Sequence, residues 1–419
     1  MESPVRIENR AQLIYLLTEA AELEHGIMCC YLFAAFSIKK DTSEGITEEQ
    51  LRIARRWRGG ILQIAIQEMV HMALACNLLS AVGGSPHLRR PNLPSSPRAY
   101  PPSFRLALAP FTRETLASFA FIESPESQDT SLPGETGAAP QAQSLGRFTD
   151  IFSSERKYQT VGHLYRGIED GFIYLAQKYG EEQLFLGPPD AQIKPSYFNL
   201  PGLIPVTDLA SAVAGIQGIV EQGEGARSES TDSHYGRFVR MLEEYDQLLL
   251  DDPEFEPGRP VLSNPYSMLP GDLIDISEAN LIEDPLSVDI SNLFDGCYEV
   301  LMHVTGRLLL HTGESEEQLR KLSDINVSLM LDVITPLGEA LTTLPAGAAH
   351  PGLTAGASFR FPKDFNTLPH QPAAWALLIE RLKELSAYCT ILQTQSGVPP
   401  VLNRVKNSLA QFAEQLGKS

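Results

Sequence analysis

The sequence has little positive charge and few cysteines. Its 419 residues include 33 Lys and Arg against 52 Asp and Glu, which gives a formal net charge of −19 at pH 7. This excess of negative charge argues against binding to nucleic acid or to an anionic membrane, because both require a cationic surface. The five cysteines are odd in number and none belongs to a C-x-x-C pair. The sequence therefore predicts neither a disulfide framework nor a thiolate zinc site, and reduced thiols in the core are expected.

Long hydrophobic runs and common catalytic motifs are also missing. The sequence contains no run of about 18 uninterrupted apolar residues, so it predicts no membrane span. The first residues do not have the basic, apolar and small-residue regions of a signal peptide, so we expect a cytoplasmic protein. The chain has no G-x-S-x-G, P-loop or Rossmann glycine motif, and nothing in it supports a serine or cysteine hydrolase.

What the sequence does have is helical periodicity. Apolar residues recur at steps of three and four, whereas strand-like alternation never extends beyond a few residues and no fixed-period repeat is present. The pattern predicts an all-α protein. The predicted helices lie near residues 9–40, 47–82, 113–122, 161–179, 208–222, 233–250, 289–311, 315–342, 371–395 and 400–416.

A stretch rich in proline and glycine, residues 252–270, predicts a boundary between two units. We expect a helical bundle over residues 1–252 and a C-terminal helical region over residues 270–419 that packs on the bundle. Seven prolines between residues 85 and 110 indicate an extended crossover or loop. Residues 124–157 are rich in Ser, Pro, Gly, Gln and Ala, which is typical of a mobile loop or lid.

The second predicted helix contains the most informative pair, Glu68 and His71. They are three residues apart and project from nearly the same face, which is also the apolar face of that helix. Burying an unpartnered carboxylate is costly, so a metal, a cation or a shared proton must compensate. A Glu-x-x-His pair is half of the site in di-iron carboxylate bundles. The alternative is that the two side chains bond only each other on a half-exposed face.

The first and third predicted helices supply further candidates. Glu24 lies beside the apolar stripe of the first helix. Glu169 lies on the inner face of the third helix, whereas His163 shares a more polar face. Carboxylate and imidazole ligands without thiolate suit iron or manganese.

The fourth predicted helix leaves more than one interpretation open. Glu221 is the ligand candidate, but Glu224 stands where a strict bundle would place a histidine. His234 is the nearest histidine, and we expect residues 222–232 to form an insertion that lets a second helical piece bring it back. The alternative is a frayed helix end whose carboxylates are solvated.

Seven segments match a known family when they are taken together and in order: 17–25, 31–35, 64–71, 77–88, 161–165, 221–225 and 233–238. They resemble the ferritin-like domain of the VioB-like, or iminophenyl-pyruvate dimer synthase, group. The resemblance covers roughly residues 8–250 and implies a ferritin-like four-helix bundle with a dinuclear non-haem metal site. It implies that Glu24, Glu68, His71, Glu221 and His234 hold metal, with Glu169 as a less direct match.

The function predicted from these observations is that of an O₂-dependent di-iron oxidase or oxygenase, with manganese as an alternative metal. Its substrate would be a small amino-acid-derived or aromatic metabolite, and the implied setting is a specialised-metabolite pathway. Tyr31 and Tyr165 are predicted to line a pocket beside the metals as catalytic residues. A homo-oligomer is compatible with this prediction, whereas nucleic-acid and membrane partners are not. A ferroxidase or iron-binding protein and a metal-free helical scaffold remain as alternatives.

Overall fold

A computed structural model of the chain describes residues 6–97, 100, 104–125, 160–223, 232–271, 273, 276–361 and 370–418. In these ranges the protein is built almost entirely of α-helices, and its only named strands are two residues long, β1 (Pro265–Tyr266) and β2 (Asn280–Leu281), which pair in parallel. The predicted all-α class is therefore confirmed. Most of the predicted lid, 124–157, lies outside the described residues, and so does Glu224.

The helices follow the predicted positions closely. Their bounds are α1 (Arg10–Ser37), α2 (Glu48–Ala81), α3 (Arg113–Ile122), α4 (Val161–Tyr179), α5 (Glu181–Leu184), α6 (Leu209–Gly223), α7 (His234–Asp251), α8 (Pro285–Leu309), α9 (Glu316–Leu329), α10 (Thr335–Leu341), α11 (Gln371–Leu392) and α12 (Val401–Gly417).

The two long helices α1 and α2 begin at residues that cap them. The side chain of Asn9 accepts a hydrogen bond from the backbone of Gln12 at the start of α1. Thr47 and Gln50 form a reciprocal capping box at the start of α2. Arg10, at the beginning of α1, donates to the carbonyl of Val82, just past the end of α2, at 2.8 Å. The two helices therefore run antiparallel along one another.

Helices α4 and α6 complete a four-helix bundle with this pair. Helix α4 contacts α1 and α6, and α6 also contacts α2. The shorter helix α3 packs against α7, which in turn contacts α2 and α6. The bundle interior consequently lies between α1, α2, α4 and α6, with the end of α3 and the start of α7 at one side.

Helices α8 to α12 lie against the opposite side of α1 and α2. Helix α10 contacts α1, and a side chain at Gly338 would overlap the ring of Phe36, so glycine permits this close approach. Between α9 and α10 the chain forms one turn of π-helix, Met330–Ile334. Buried apolar residues of both halves form one continuous core, and the five cysteines are buried in it without disulfides, as predicted.

Helix α2 is buried on more than one side. By length and composition alone it is apolar enough to cross a membrane, but 78% of the relevant window is buried inside the protein. Glu68 and His71 lie within that buried part. Its hydrophobicity is therefore that of a helix with the bundle on one face and the C-terminal helices on the other.

Candidate metal centre

Helices α1 and α2 bring three ionisable side chains together in the bundle interior. Glu24 of α1 lies beside Glu68 and His71 of α2, and each of the three is only 2% exposed. His71 Nδ1 is 2.8 Å from Glu68 Oε2 and 4.0 Å from Glu24 Oε2. One potential ligand atom from each residue lies within 4.8 Å of the others. These residues form the first triad.

A second triad shares Glu68 with the first. His234 Nδ1 lies 2.8 Å from Glu68 Oε1 and 3.7 Å from Glu123 Oε2. Glu123 caps the C-terminus of α3, and His234 is the first residue of α7, directly after its N-cap Ser233. The two oxygens of Glu68 therefore face different histidines, and this carboxylate lies between the two groups.

Amide side chains orient both imidazole rings. Gln222 Oε1 lies 3.0 Å from His71 Nε2, and Gln67 Oε1 lies 3.2 Å from His234 Nε2. Arg237 also donates to Gln67 Oε1, at 2.9 Å. An amide oxygen only accepts hydrogen bonds, so each Nε2 carries a proton and each Nδ1 is directed at the carboxylates. A metal-binding histidine is commonly held by this kind of hydrogen bond on its outer nitrogen.

Burial and mutual charge shift the pKa values of these groups strongly. Burial, followed by the charge of Glu68, holds the pKa of Glu24 well above its ordinary value. Burial also acts to raise the pKa of Glu68, but the charges of His234 and His71 outweigh it and hold that pKa well below its ordinary value. Burial acts to lower the pKa of His234, but Glu68 and Glu123 outweigh it and raise that pKa to about 10. Without a metal, protons therefore compensate part of the buried negative charge.

The donor atoms present fit a metal better than they fit one another. Glu68 Oε1 and His234 Nδ1 are both buried and form an ion pair at 2.8 Å, but the pair does not have the angles of a hydrogen bond, and neither atom has a hydrogen-bond partner among the described residues. Buried polar atoms without partners are costly. Two triads of carboxylate and imidazole donors, without thiolate, match the ligand preference of iron or manganese. The centre can therefore hold two cations, with Glu68 between them.

The two predicted catalytic tyrosines both touch the centre. Tyr165 Oη donates to Glu24 Oε1 at 2.6 Å, and Tyr31 Oη donates to Glu123 Oε1 at 2.5 Å. Burial, together with the charges of these carboxylates, raises the pKa of both phenols well above the ordinary value. Each phenol consequently keeps its proton and orients one carboxylate. A small cavity of about 20 Å³ lies between Tyr165 and the two triads.

Two predicted ligands, Glu169 and Glu221, lie outside both triads. Glu169 is partly exposed on α4 and accepts a hydrogen bond from Gln217 at 2.9 Å, because its neighbour on the inner face, Tyr165, occupies the approach to the centre. Glu221 is exposed on α6. The next residue, Gln222, lies about 100° further round the helix and is the one that reaches His71. His163 belongs to neither triad.

Sequence reasoning did not find Glu123, Gln67 or Gln222. Glu123 follows the last residue of a short helix, and the only available signal was an acidic residue directly after the apolar run 119–122. Gln67 stands one position before the Glu-x-x-His motif. The prediction that a second helical piece brings His234 back to the bundle agrees with the structure, because α7 begins at His234 and this side chain lies against Glu68.

Comparison with known proteins gives a consistent result. A ferritin-like family model matches residues 17–243, more than half of the chain. The 2-imino-3-(indol-3-yl)propanoate dimerase of Chromobacterium violaceum is 28% identical over 410 residues, which cover 93% of this chain and 38% of that protein. Dichlorochromopyrrolate synthase of Lentzea aerocolonigenes is 28% identical over 451 residues, which cover 98% of this chain and 41% of that protein. The predicted resemblance is confirmed.

The chain spans about two fifths of the length of both curated relatives, each of which is named for an enzymatic activity. Among solved structures, a ferritin-like protein from Caulobacter vibrioides matches 80% of this chain and 98% of its own, with 17% sequence identity and a TM-score of 0.46.

Proposed function

This chain belongs to the ferritin-like family, and from that premise we propose that it is an oxidoreductase that uses a dinuclear non-haem metal centre and O₂. The observation that carries the proposal is Glu68, whose two oxygens lie in two separate ligand triads inside a buried core. Iron is the metal that we propose, and manganese satisfies the same donor set.

The proposed ligands are the five side chains of the two triads. Glu24 and His71 would hold one metal, Glu123 and His234 the other, and Glu68 would contact both. When bound, such a pair of metals supplies electron exchange with O₂, which amino-acid side chains do not provide.

The surrounding residues prepare the ligands for that role. Gln222 and Gln67 hold the outer nitrogens of the two histidines, so that the inner nitrogens face the metals. Tyr165 and Tyr31 each hold one carboxylate through a hydroxyl proton, and these are O–H groups within reach of the reacting region. Ile27, Ile122 and other apolar side chains line the cavity and limit the entry of water.

We propose a small aromatic, amino-acid-derived molecule as the substrate. The support for this class comes from the relatives, since one is named for an indolyl imino acid and the other for a dichlorinated chromopyrrolate. Because this chain matches only part of each relative, we propose the class of substrate and no particular product.

Metal loading and O₂ uptake test the proposal directly. The purified protein is loaded with Fe(II) without air, its bound iron is counted, and O₂ consumption is then followed with an electrode. We expect about two equivalents of iron and a rapid uptake of O₂. Glu123→Ala should retain about one equivalent, because it interrupts only the second triad. Glu169→Ala is the matched control and should retain about two.

Less than about half an equivalent of any transition metal in the wild-type protein, together with no O₂ uptake, would refute the proposal. Equal metal loss in the Glu169 and Glu123 variants would show that the ligands are wrongly assigned.

A further inference from the structure

Helices α1 and α2 separate the metal centre from a second cavity. Ile27 lines the cavity of the centre, whereas the next residue, Met28, lines the second one. His71 and Met72 are divided in the same way. The second cavity has a volume of about 310 Å³ and is enclosed by α1 and α2 on one side and by α8, α9 and the π-helical turn on the other. This volume is in the range of small-molecule binding sites.

Methionine is concentrated in the wall of this cavity. Five of the eight methionines of the chain line it, and the side chains of Tyr298 and Phe359 contribute aromatic surface. Methionine is flexible and polarisable, so it adapts to the shape of a guest and contacts aromatic rings favourably. The five residues are Met28, Met69, Met72, Met302 and Met330. Such a wall suits a guest that is mostly apolar and flat.

Two residues of the wall, Arg58 and Asn326, each have one buried polar atom without a hydrogen-bond partner among the described residues. The charge of Arg58 is compensated, because its guanidinium pairs with Glu339. Asn326 is 1% exposed, and its Nδ2 donates to Thr305 Oγ1 at 2.7 Å. The hydroxyl of Thr305 in turn donates to the carbonyl of Leu301 at 2.9 Å. Asn326 Oδ1 is buried without a hydrogen-bond partner among the described residues. A buried carbonyl oxygen in a largely apolar cavity favours a guest that brings its own N–H or O–H group.

The backbone of the wall is irregular at two places. Met330, Leu331 and Ile334 belong to the π-helical turn, a conformation that occurs often at functional sites. Phe359 has φ of 46°, in the left-handed region that a bulky residue rarely adopts. Both departures from regular geometry direct side chains into the cavity.

We propose that this cavity binds a small, mostly apolar aromatic molecule carrying one N–H or O–H donor, which Asn326 Oδ1 accepts. The guest would enter between Ile66 and Leu331, which line the cavity and are 48% and 61% exposed. The site faces away from both triads, so binding does not require metal.

Two probes that differ only at the donor test the assignment. 2-Naphthol carries a hydroxyl, and 2-methoxynaphthalene has the same ring system without a donor. Equilibrium dialysis against the full chain gives the Kd of each probe. We expect the Kd of 2-methoxynaphthalene divided by the Kd of 2-naphthol to be about ten times larger for the wild-type protein than for Asn326→Leu. This difference corresponds to about 1.4 kcal/mol.

A second variant tests the entrance without touching the core. Leu331→Trp places a larger ring at the exposed mouth and should abolish saturable binding of both probes. Leu250→Trp, at a position that is 76% exposed on α7, should leave both Kd values unchanged.

Three outcomes would overturn the proposal. The first is the absence of saturable binding of either probe to the wild-type protein. The second is a Kd ratio that Asn326→Leu does not change. The third is a dimer, seen by gel filtration, that Leu331→Asp dissociates while no probe binds, because the mouth would then belong to an interface between two copies.

Discussion

The two sides of the α1–α2 pair bury opposite kinds of chemistry. One side, the carboxylate face, presents Glu24, Glu68 and His71 to the bundle interior. The other, the methionine face, presents Met28, Met69 and Met72 to the C-terminal helices. Both faces are withdrawn from water to a similar degree. Burial alone therefore does not determine what a helix face contains, and the packing partner on each side does.

The faces differ in how their buried groups are compensated. On the carboxylate face each ionised group has an opposite charge or a hydroxyl nearby, but Glu68 Oε1 and His234 Nδ1 have no hydrogen-bond partner among the described residues. On the methionine face the methionine side chains need no partner, and Asn326 Oδ1 is a buried acceptor without a hydrogen-bond partner among the described residues. The first face thus calls for cations, whereas the second calls for an apolar guest with a single donor.

The largest effect should follow from Glu68→Ala, which removes the shared carboxylate from the carboxylate face. Both triads lose their shared ligand, so bound iron should fall from about two equivalents to nearly none. Elemental analysis of the iron-loaded protein gives the answer, and circular dichroism verifies the helices. Glu221→Ala removes an exposed carboxylate nearby and should bind as much iron as the wild type. A Glu68→Ala protein with undiminished iron would mean that the centre lies elsewhere.

The converse change, Met72→Glu, puts a carboxylate on the methionine face. Met72 is 1% exposed, and the arginine that lines the same cavity, Arg58, is already paired with Glu339. We expect the free energy of unfolding to fall by roughly 3–5 kcal/mol. Urea denaturation measures the change. Ile66→Glu, at a position that is 48% exposed on the same helix, should cost less than about 1 kcal/mol. Similar losses for both variants would contradict a real difference between the faces.

A smaller effect is expected for Tyr165→Phe, which removes the hydrogen bond to Glu24 and leaves every ligand in place. The iron count should remain about two, while the affinity falls by about tenfold because Glu24 is less well oriented. Competition with a chromophoric chelator measures the affinity. Tyr174→Phe, on the same helix and 43% exposed, is the matched control. If both variants bind iron equally well, the Tyr165 phenol has no role in positioning Glu24.

Much of the fold could be predicted from periodicity and capping residues. The start of α2 lies at the capping box that Thr47 and Gln50 form, because a cap acts over one helical turn. Helix α3 occupies the predicted residues 113–122. Glu24, Glu68 and His71 could be selected because they lie in the middle of long helices, where a three-residue spacing fixes the face. Whether they bind metal is still a prediction.

The rest of the centre depends on tertiary packing. Glu123 and His234 lie at helix ends, where the periodicity no longer defines a direction. Glu221 and Gln222 are adjacent, so their side chains point about 100° apart around α6. The periodicity of a short helix interrupted by glycine does not define which of the two faces the centre. The methionine face could not be predicted from the sequence of α2 alone, because its cavity forms only where α8 and α9 pack against that helix.

The sharing of Glu68 also determines the order in which charged partners can arrive. In the bare centre the raised pKa values of Glu24 and His234 keep protons on both side chains, so much of the negative charge of the three carboxylates is already compensated. Two divalent cations would displace these protons and, with three carboxylates and neutral imidazoles, would leave a formal charge of about +1. The loaded centre would therefore attract a small organic acid more strongly than the bare one. Metal would enter before an acidic substrate, and the protons released would report that step.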